Sequence, residues 1–294
     1  MRRTLWTLAK VVCRTAARLA LRLPLIALFA CTLLSLAPGF DSDERRLDLR
    51  FSASSVAALH HAQMASRNPL VMCAGYLKGL ARGDLGESTT FGAPVLGLVR
   101  ERWATTGRSV LGGLGGGWIL AAGSAVLVML LRSPAASGGA AALTTALICI
   151  PSALLGVIVM LLDGLVEAAL AAVIFPRVYQ YTSRVLAQAA AAPHVRSAEA
   201  AGVTRWRLFW FACLPPAFPE LLAVAAASVS MALASVVPLE VICDSPGLGQ
   251  LAWKATLGRD VPLLLFVTLA MTAAANLASA VADLGTEALA RSRS

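Results

Sequence analysis

Apolar stretches recur along the chain, and each of the clear ones is about as long as a helix that crosses a lipid bilayer. Of the 294 residues, 58% are hydrophobic and only 14% are charged. A water-soluble domain carries about a quarter charged residues. The composition therefore excludes a disordered chain, argues against a soluble enzyme, and favours a polytopic membrane protein packed through its many small residues.

The hydrophobic pattern predicts an all-α integral membrane protein with six transmembrane helices. The predicted spans are residues 23–37, 112–131, 141–162, 165–181, 217–242 and 261–283. Pro151 lies inside the third span and predicts a kink there. Basic residues are concentrated before the first span, between the fourth and fifth spans, and in the tail, whereas the short loops on the other side hold few. Because positive charge marks cytoplasmic loops, we predict that both termini are cytoplasmic, and the net charge of +9 is assigned to lipid headgroups rather than nucleic acid.

The predicted organisation is a basic amphipathic cytoplasmic segment, 1–22, followed by a single transmembrane domain, 23–294. This domain contains an outer loop at 38–108 and a cytoplasmic loop at 184–214. Cleavage of the N-terminal segment as a signal peptide is left open.

The cysteines and histidines do not predict a metal site. The six cysteines lack metal-ligand spacing, and the adjacent pair His60-His61 has no third ligand near it in sequence. A disulfide between Cys73 and Cys243, both predicted to lie outside, is left open.

The connection between the fourth and fifth spans is too polar to cross a membrane and too apolar for a passive linker. A helix-forming run ends at Gly202, a typical C-terminal glycine, and Thr204 can cap a second helix that contains Trp206 and Trp210. This pattern predicts helix, glycine turn, helix on the cytoplasmic surface. A short helix of this kind can fit a groove on a soluble partner.

The spacing from Gly202 to Leu214-Pro215 resembles the cytoplasmic signature loop of ABC importer permeases. The preceding VRSAEAAG is similar to the dipeptide, oligopeptide and nickel permeases. Three further segments resemble that subfamily in order: YLKGLARGDLGES at 76–88, IPSALLG at 150–156, and LEVICDSPGLGQLAWKATLGRDVPLL at 239–265. The resemblance covers residue 76 to the end. The chain departs from the pattern in its very short connection between the third and fourth spans.

The resemblance implies a non-enzymatic subunit whose coupling loop docks a separate ATPase. The chain has no GxxxxGK[ST] phosphate loop, so we expect no cofactor on this chain, with ATP and Mg used by the partner ATPase. The coupling-loop residues that the resemblance implies are Arg196, Ser197, Ala198, Glu199, Ala200, Gly202, Leu214 and Pro215.

The resemblance also implies an outer gate or a dock for a substrate-binding protein. Its residues are Glu240, Pro246, Gly247 and Gly249 around the PGLG turn, with Gly83, Asp84 and Gly86 in the GDLG turn. Two roles for Glu240 are left open: it faces the translocation path and meets a peptide amine, or it hydrogen-bonds the neighbouring loop.

The function implied is that of a permease subunit of an ATP-driven importer. It would move peptides or related small solutes by alternating access across a bacterial or archaeal inner membrane. The implied partners are two ATP-binding subunits, a second permease (a sister chain or a copy of itself) and an extracytoplasmic binding protein. The competing interpretations are an ATP-independent channel or secondary transporter, and a non-transporting membrane scaffold. The sequence does not identify the cargo.

Overall fold

The computed structural model describes residues 2–36, 69–162 and 164–292, and nearly all of these are helical. Over these ranges the β pairing is limited to an isolated antiparallel bridge between Glu87 and Pro94. The prediction of an all-α fold is confirmed. The pair His60-His61 lies outside the described residues, as does Asp163 in the short connection predicted between the third and fourth spans.

The helices are numbered here in chain order. They are α1 (Arg2–Leu36), α2 (Pro69–Ala81), α3 (Val95–Leu131), α4 (Pro134–Cys149), α5 (Ser152–Leu161), α6 (Val166–Ala190), α7 (Pro193–Ala200), α8 (Arg205–Leu208), α9 (Leu214–Ile242), α10 (Leu248–Leu257) and α11 (Val261–Ser292). A π-helical turn, Phe209–Cys213, joins α8 to α9.

In the described part of the chain, four helical segments are long and apolar enough to cross a membrane: Ala16–Leu33, Val95–Leu131, Arg205–Ile242 and Val261–Thr286. A fifth is added if α4 and α5 count as one bent span. Helix α6, the predicted fourth span, is outside this set because Glu167, Arg177 and Arg184 lower its hydropathy. The structure thus supports four or five of the six predicted spans.

Several helices extend past the ends of the predicted apolar stretches. Helix α1 is continuous across the predicted boundary at residue 22. Helix α2 and the first turns of α3 fall inside the predicted outer loop 38–108, and α6 continues to Ala190, inside the predicted loop 184–214. Hydropathy detects the apolar part of a helix, whereas charged residues such as Arg100 and Glu101 can continue the same helix beyond it.

A break separates α4 from α5, whose axes differ by 98°. Pro151 lies in the break and lacks a backbone N–H, and a proline also disfavours helical geometry in the residue before it. Ile150 accordingly has an extended backbone, with φ −81° and ψ 124°. The kink predicted at Pro151 is confirmed, and it divides the helix completely.

The chain forms two compact units. Unit 1 comprises residues 1–13, 103–250 and 275–294; unit 2 comprises 14–102 and 251–274. In unit 1, α6 packs against α4, α5 and α9. The largest fully buried apolar side chains of these packed helices are Leu170, Ile174, Val178, Leu186, Val236 and Leu239.

Glycines allow α3 to approach α6 closely within unit 1. A Cβ atom at Gly113 would lie 2.6 Å from Cβ of Leu170, and one at Gly117 would lie 2.9 Å from Cγ2 of Ile174. The two glycines are four residues apart and so share one face of α3. This small-xxx-small arrangement is typical of membrane helices that pack at short range.

The core of unit 2 joins three helices. Ala27 and Cys31 of α1 pack with Cys73 of α2 and with Leu265 and Leu269 of α11. All six cysteines have free thiols, and Cys73 and Cys243 belong to different units.

Candidate functional site

Residues 193–213, here called the Gly202 segment, fold as two short helices around a glycine turn. Gly202 has φ +83°, in the left-handed region that glycine adopts without strain. Its N–H donates to the carbonyl of Glu199 at 3.0 Å, which ends α7. Thr204 occupies the N-cap position of α8, without a side-chain capping bond. The predicted helix, turn and helix are confirmed, and Leu214-Pro215 begins α9.

One side of α7 packs against the rest of unit 1, and the other side is exposed. Val195 is buried in a cluster with Leu208 and Cys213. By contrast, Arg196, Ser197 and Ala200 are exposed. The exposed side of α7, here called its open face, therefore carries the small side chains of Ser197 and Ala200, which allow close approach of a partner. Val195 holds the opposite side of the helix in the buried cluster.

Aromatic side chains follow the glycine turn. Phe209 is buried, whereas Trp206, Trp210 and Phe211 are 57%, 46% and 81% exposed. The rings of Trp206 and Trp210 meet edge to face, with centroids 5.7 Å apart. Exposed aromatic groups of this size mark contact with lipid or protein rather than with water alone.

Two arginines connect the Gly202 segment to the end of α3. Arg132 binds Glu199 through both carboxylate oxygens, with Nη1–Oε1 2.5 Å and Nη2–Oε2 2.8 Å. Arg205 donates from Nη1 to the carbonyl oxygen of Leu130 at 2.8 Å. The hydrogen bond from Arg132 lowers the pKa of the Glu199 carboxyl, and the same bond raises the pKa of Arg132. Sequence analysis missed Arg132, because nothing in the pattern relates it to a residue 67 positions later.

A second cluster in unit 1 is centred on Glu240, whose side chain is fully buried at the end of α9. Thr106 Oγ1 donates to Oε1 at 2.7 Å, and the Gly249 N–H donates to Oε2 at 2.7 Å. The backbone N–H of Gln250 also donates to this carboxylate. Leu248 N–H in turn donates to Thr106 Oγ1 at 2.7 Å. The carboxylate and hydroxyl together satisfy the free N–H groups at the start of α10.

The glycines of the PGLG turn allow this arrangement. A Cβ at Gly247 would overlap the carboxylate of Glu240, and a Cβ at Gly249 would lie 2.6 Å from Cα of Val237. Pro246 begins the turn and is exposed, whereas Gly247 and Gly249 are buried. Of the two roles left open for Glu240, a hydrogen bond to the loop is the one present. A role toward cargo stays a prediction.

Unit 2 contains a comparable cluster around Asp260, also fully buried. Ser88 Oγ donates to its Oδ2, as does the Thr90 N–H at 3.1 Å. Its Oδ1 accepts from Leu263 N–H at 3.2 Å, which caps the start of α11. The segment 239–265, named from the sequence, includes Asp260, but its hydrogen bonds to the loop that follows the GDLG turn were not predicted.

The GDLG turn itself is exposed. Gly83 and Gly86 have φ +79° and +75°, and Asp84 Oδ1 accepts from Gly86 N–H at 2.9 Å. The residues grouped from the sequence as an outer gate or dock thus divide between the two units: Glu240, Pro246, Gly247 and Gly249 in unit 1, and Gly83, Asp84 and Gly86 in unit 2.

A cavity of about 650 Å³ lies among α3, α4 and α6 in unit 1. Its walls are mostly apolar, with a polar strip that includes Thr145, Gln180 and Arg184. No pattern in the sequence predicted this cavity. Across residues 2–36, 69–162 and 164–292, no three His, Cys, Asp or Glu side chains form a group that could hold a metal ion.

The family model for the binding-protein-dependent transport system inner membrane component matches residues 113–294. Comparison with curated proteins found no match. The family match covers more than half of the chain, and the chain belongs to this family. It is therefore a multi-pass inner membrane protein and a permease component of a binding-protein-dependent ABC transport system. Such components are generally non-catalytic and work with a separate ATPase and a substrate-binding protein.

Proposed function

We propose that this permease imports peptides or related small solutes by alternating access, and that its Gly202 segment docks the ATPase. The observation that carries the proposal is the open face of α7, where Ser197 and Ala200 are exposed while Val195 anchors the helix from behind. This face lies inside the region matched by the family. This role is assigned to the coupling-loop residues named from the sequence: Arg196, Ser197, Ala198, Glu199, Ala200, Gly202, Leu214 and Pro215.

The chain connections favour transmission of a push on α7 into the membrane helices. Only Ala191 and Ala192 separate α6 from α7. On the other side, α8, the π-helical turn and α9 follow one another without a gap. Closure of two ATPases on ATP would therefore move α6 and α9 together with α7, and so change which side of the membrane the pathway faces.

We propose six spans with both termini cytoplasmic, with α4 and α5 forming a broken third span and α6 the fourth. The burial of α6 supports this assignment. Its residues Leu170, Ile174 and Val178 are at most 1% exposed. A helix that is shielded by its neighbours needs less apolar surface than one that faces lipid. Its low hydropathy is therefore compatible with a central membrane helix.

The GDLG and PGLG turns are proposed to face the opposite side and to form the gate or the dock for the binding protein. Asp260 and Glu240 support this role, because each is a buried acceptor that fixes the backbone beside its turn. The proposed assembly contains two ATP-binding subunits and a second permease, in a bacterial or archaeal membrane. ATP and Mg are used by the ATPase subunits, with no cofactor on this chain.

Co-purification with candidate ATPase subunits tests the docking assignment. The informative variant is Ala200→Trp, because Ala200 is exposed on a helix and tolerates a large side chain without backbone strain. A tryptophan at Gly202 would also disturb the turn, since Gly202 has φ +83°. The matched control is Ala81→Trp, which places the same side chain on an exposed alanine of unit 2.

We expect the native chain and Ala81→Trp to retain the ATPase and Ala200→Trp to lose it. Equal retention by all three chains would reject the Gly202 segment as the docking surface. Failure of the native chain to retain any ATPase would favour a channel or a scaffold.

A further inference from the structure

The end of α3 is held on both sides of the Gly202 turn. Before the turn, Glu199 binds Arg132, the residue that follows α3. After the turn, Arg205 donates to the carbonyl of Leu130 in the last turn of α3. Met129, one residue earlier, packs against the buried cluster of the segment. Three successive contacts therefore join one helix end to one surface segment.

The two polar contacts use groups that suit this position. The last carbonyls of a helix have no partner within the helix and carry partial negative charge, so a guanidinium is a favourable donor to Leu130. The Arg132–Glu199 pair is bidentate, which fixes orientation as well as distance. A contact through only one carboxylate oxygen would leave the two segments free to rotate about that contact.

The backbone at Arg132 is arranged for this contact. Arg132 has φ +49°, in the left-handed region that a non-glycine residue rarely adopts. The residue lies between the end of α3 and the N-cap of α4, Ser133, whose side chain accepts from Ala136 N–H at 3.3 Å. The strained residue therefore both reverses the chain direction and carries the guanidinium that binds Glu199.

Stability does not explain the pair. The side chains of Arg132 and Glu199 are 51% and 32% exposed. Ion pairs exposed to this degree contribute little to folding, because water screens them and ordering two long side chains costs entropy. The pair instead holds the Gly202 segment and the end of α3 in a fixed relative position while either one moves.

We propose that Arg132 is a positioning residue that couples the Gly202 segment to α3 and α4, so that a push on α7 also moves the start of α4. This inference rests on the proposed function, because it takes the ATPase as the source of the push. The Arg132–Glu199 contact adds a third path for transmission of the push, beside those through α6 and α9. This third path leads to α4, which lines the cavity of unit 1.

The test uses the complete importer in lipid nanodiscs and needs no knowledge of the cargo. Spin labels are placed on Ala135→Cys at the start of α4 and on Leu277→Cys in α11, in a chain whose six native cysteines have been replaced. Ala135 and Leu277 are exposed and belong to unit 1. Pulsed EPR then compares the distance between the labels without nucleotide and after incubation with ATP and vanadate, which traps ADP and vanadate in the closed ATPases.

We expect vanadate trapping to shift the distance between the labels at positions 135 and 277 in the otherwise native chain. In Glu199→Gln or Arg132→Gln, the fraction of molecules with the shifted distance should fall about fivefold, which is a modest coupling energy between two sites. The exchanged pair Arg132→Glu/Glu199→Arg should recover the shift. The control Arg100→Gln removes an exposed arginine near the other end of α3 and should keep it.

ATPase retention is measured on the same samples and separates the two claims. If Glu199→Gln retains both the ATPase and the full distance shift, the coupling role of Arg132 is wrong and the docking surface stands. A native complex that holds its ATPase without any shift also rejects the coupling role. If the exchanged pair stays as low as the single variants, the ion pair is not the element that transmits the motion. If the native chain does not retain the ATPase, both proposals fail.

Discussion

Glu199 and Glu240 both bind their partners through two carboxylate oxygens, yet their surroundings differ completely. Glu240 is fully buried and accepts from Thr106 and from backbone N–H groups at the start of α10. Glu199 lies on the surface and binds one arginine. The first carboxylate cannot leave its partners without stranding buried donors, whereas water can replace the partners of the second. Burial thus separates an acid that stabilises the fold from one that holds two surface segments in register at little cost or gain in stability.

The same contrast applies to the glycines beside each acid. Gly247 and Gly249 are required by space, because a side chain there would collide with Glu240 or with the backbone of α9. Gly202 is required by conformation, because its φ is +83° and a Cβ there would meet nothing within 4 Å. The Glu240 cluster is therefore tightly packed, whereas the turn at Gly202 has free space around it.

The largest effect is expected from Glu240→Ala. The substitution leaves the Thr106 hydroxyl and two buried backbone N–H groups without an acceptor, and we expect a loss of about 3 kcal/mol or more in the free energy of unfolding. Unfolding of the purified protein in mixed micelles measures this. Glu199→Ala is the matched control and should unfold almost like the native chain. Similar losses in both variants would remove the distinction between the two acids.

Thr106→Val should have the next largest effect. Valine keeps the shape of threonine but removes the hydroxyl that donates to Glu240 and accepts from Leu248 N–H. We expect a loss of about 2 kcal/mol, since two buried groups lose a partner. Thr106→Ser retains the hydroxyl and should lie close to the native protein. The hydroxyl has no bridging role if valine and serine give equal stability.

Gly247→Ala should destabilise the protein more than Gly202→Ala does. The added methyl at Gly247 collides with the Glu240 carboxylate, and overpacking of this kind costs about 1–3 kcal/mol. At Gly202 the methyl has space, and only the left-handed backbone opposes it, at about 1 kcal/mol. Thermal unfolding of the two variants gives the order. The reverse order would show that backbone conformation outweighs packing here.

The smallest expected effect is the pH dependence of the stability that Glu199 contributes. The pKa of Glu199 is lowered from its ordinary value of 4.5, chiefly by the hydrogen bond from Arg132. A carboxyl whose pKa is lowered by folding adds stability above its ordinary pKa and loses that stability as the pH falls through the lowered value. Any difference in melting temperature between native and Glu199→Gln should therefore be present at neutral pH and vanish in acid. A difference that grows in acid would contradict this assignment.

The sequence predicted the helical class, the helix, turn and helix around Gly202, and the kink at Pro151. These features depend on local signals: apolar runs, a glycine after a small-residue helix, and a proline inside an apolar segment. Helix ends were predicted less well, because charged residues near the ends of α3 and α6 continue these helices past their apolar parts.

The contacts that organise the candidate site could not be predicted, because they join distant residues. Thr106 and Glu240 are 134 positions apart, and Ser88 and Asp260 are 172 apart. Glu240 was recognisable as an acid at the end of an apolar segment, but its partner Thr106 is of ordinary appearance. Neither Ser88 nor Asp260 was singled out from the sequence. Arg132 carried no signal beyond its place after an apolar stretch. A family resemblance names motifs and does not reveal which of them touch.

The central claim is that the open face of α7 contacts a separate ATPase, and site-specific photocrosslinking tests it most directly. A photoreactive amino acid is placed at Ser197, or at Glu87 in the exposed loop of unit 2, in membranes that contain the ATPase and the binding protein. The account predicts an ATPase adduct from position 197 and none from position 87. An ATPase adduct from position 87, or none from position 197 in a complex that retains the ATPase, would contradict it.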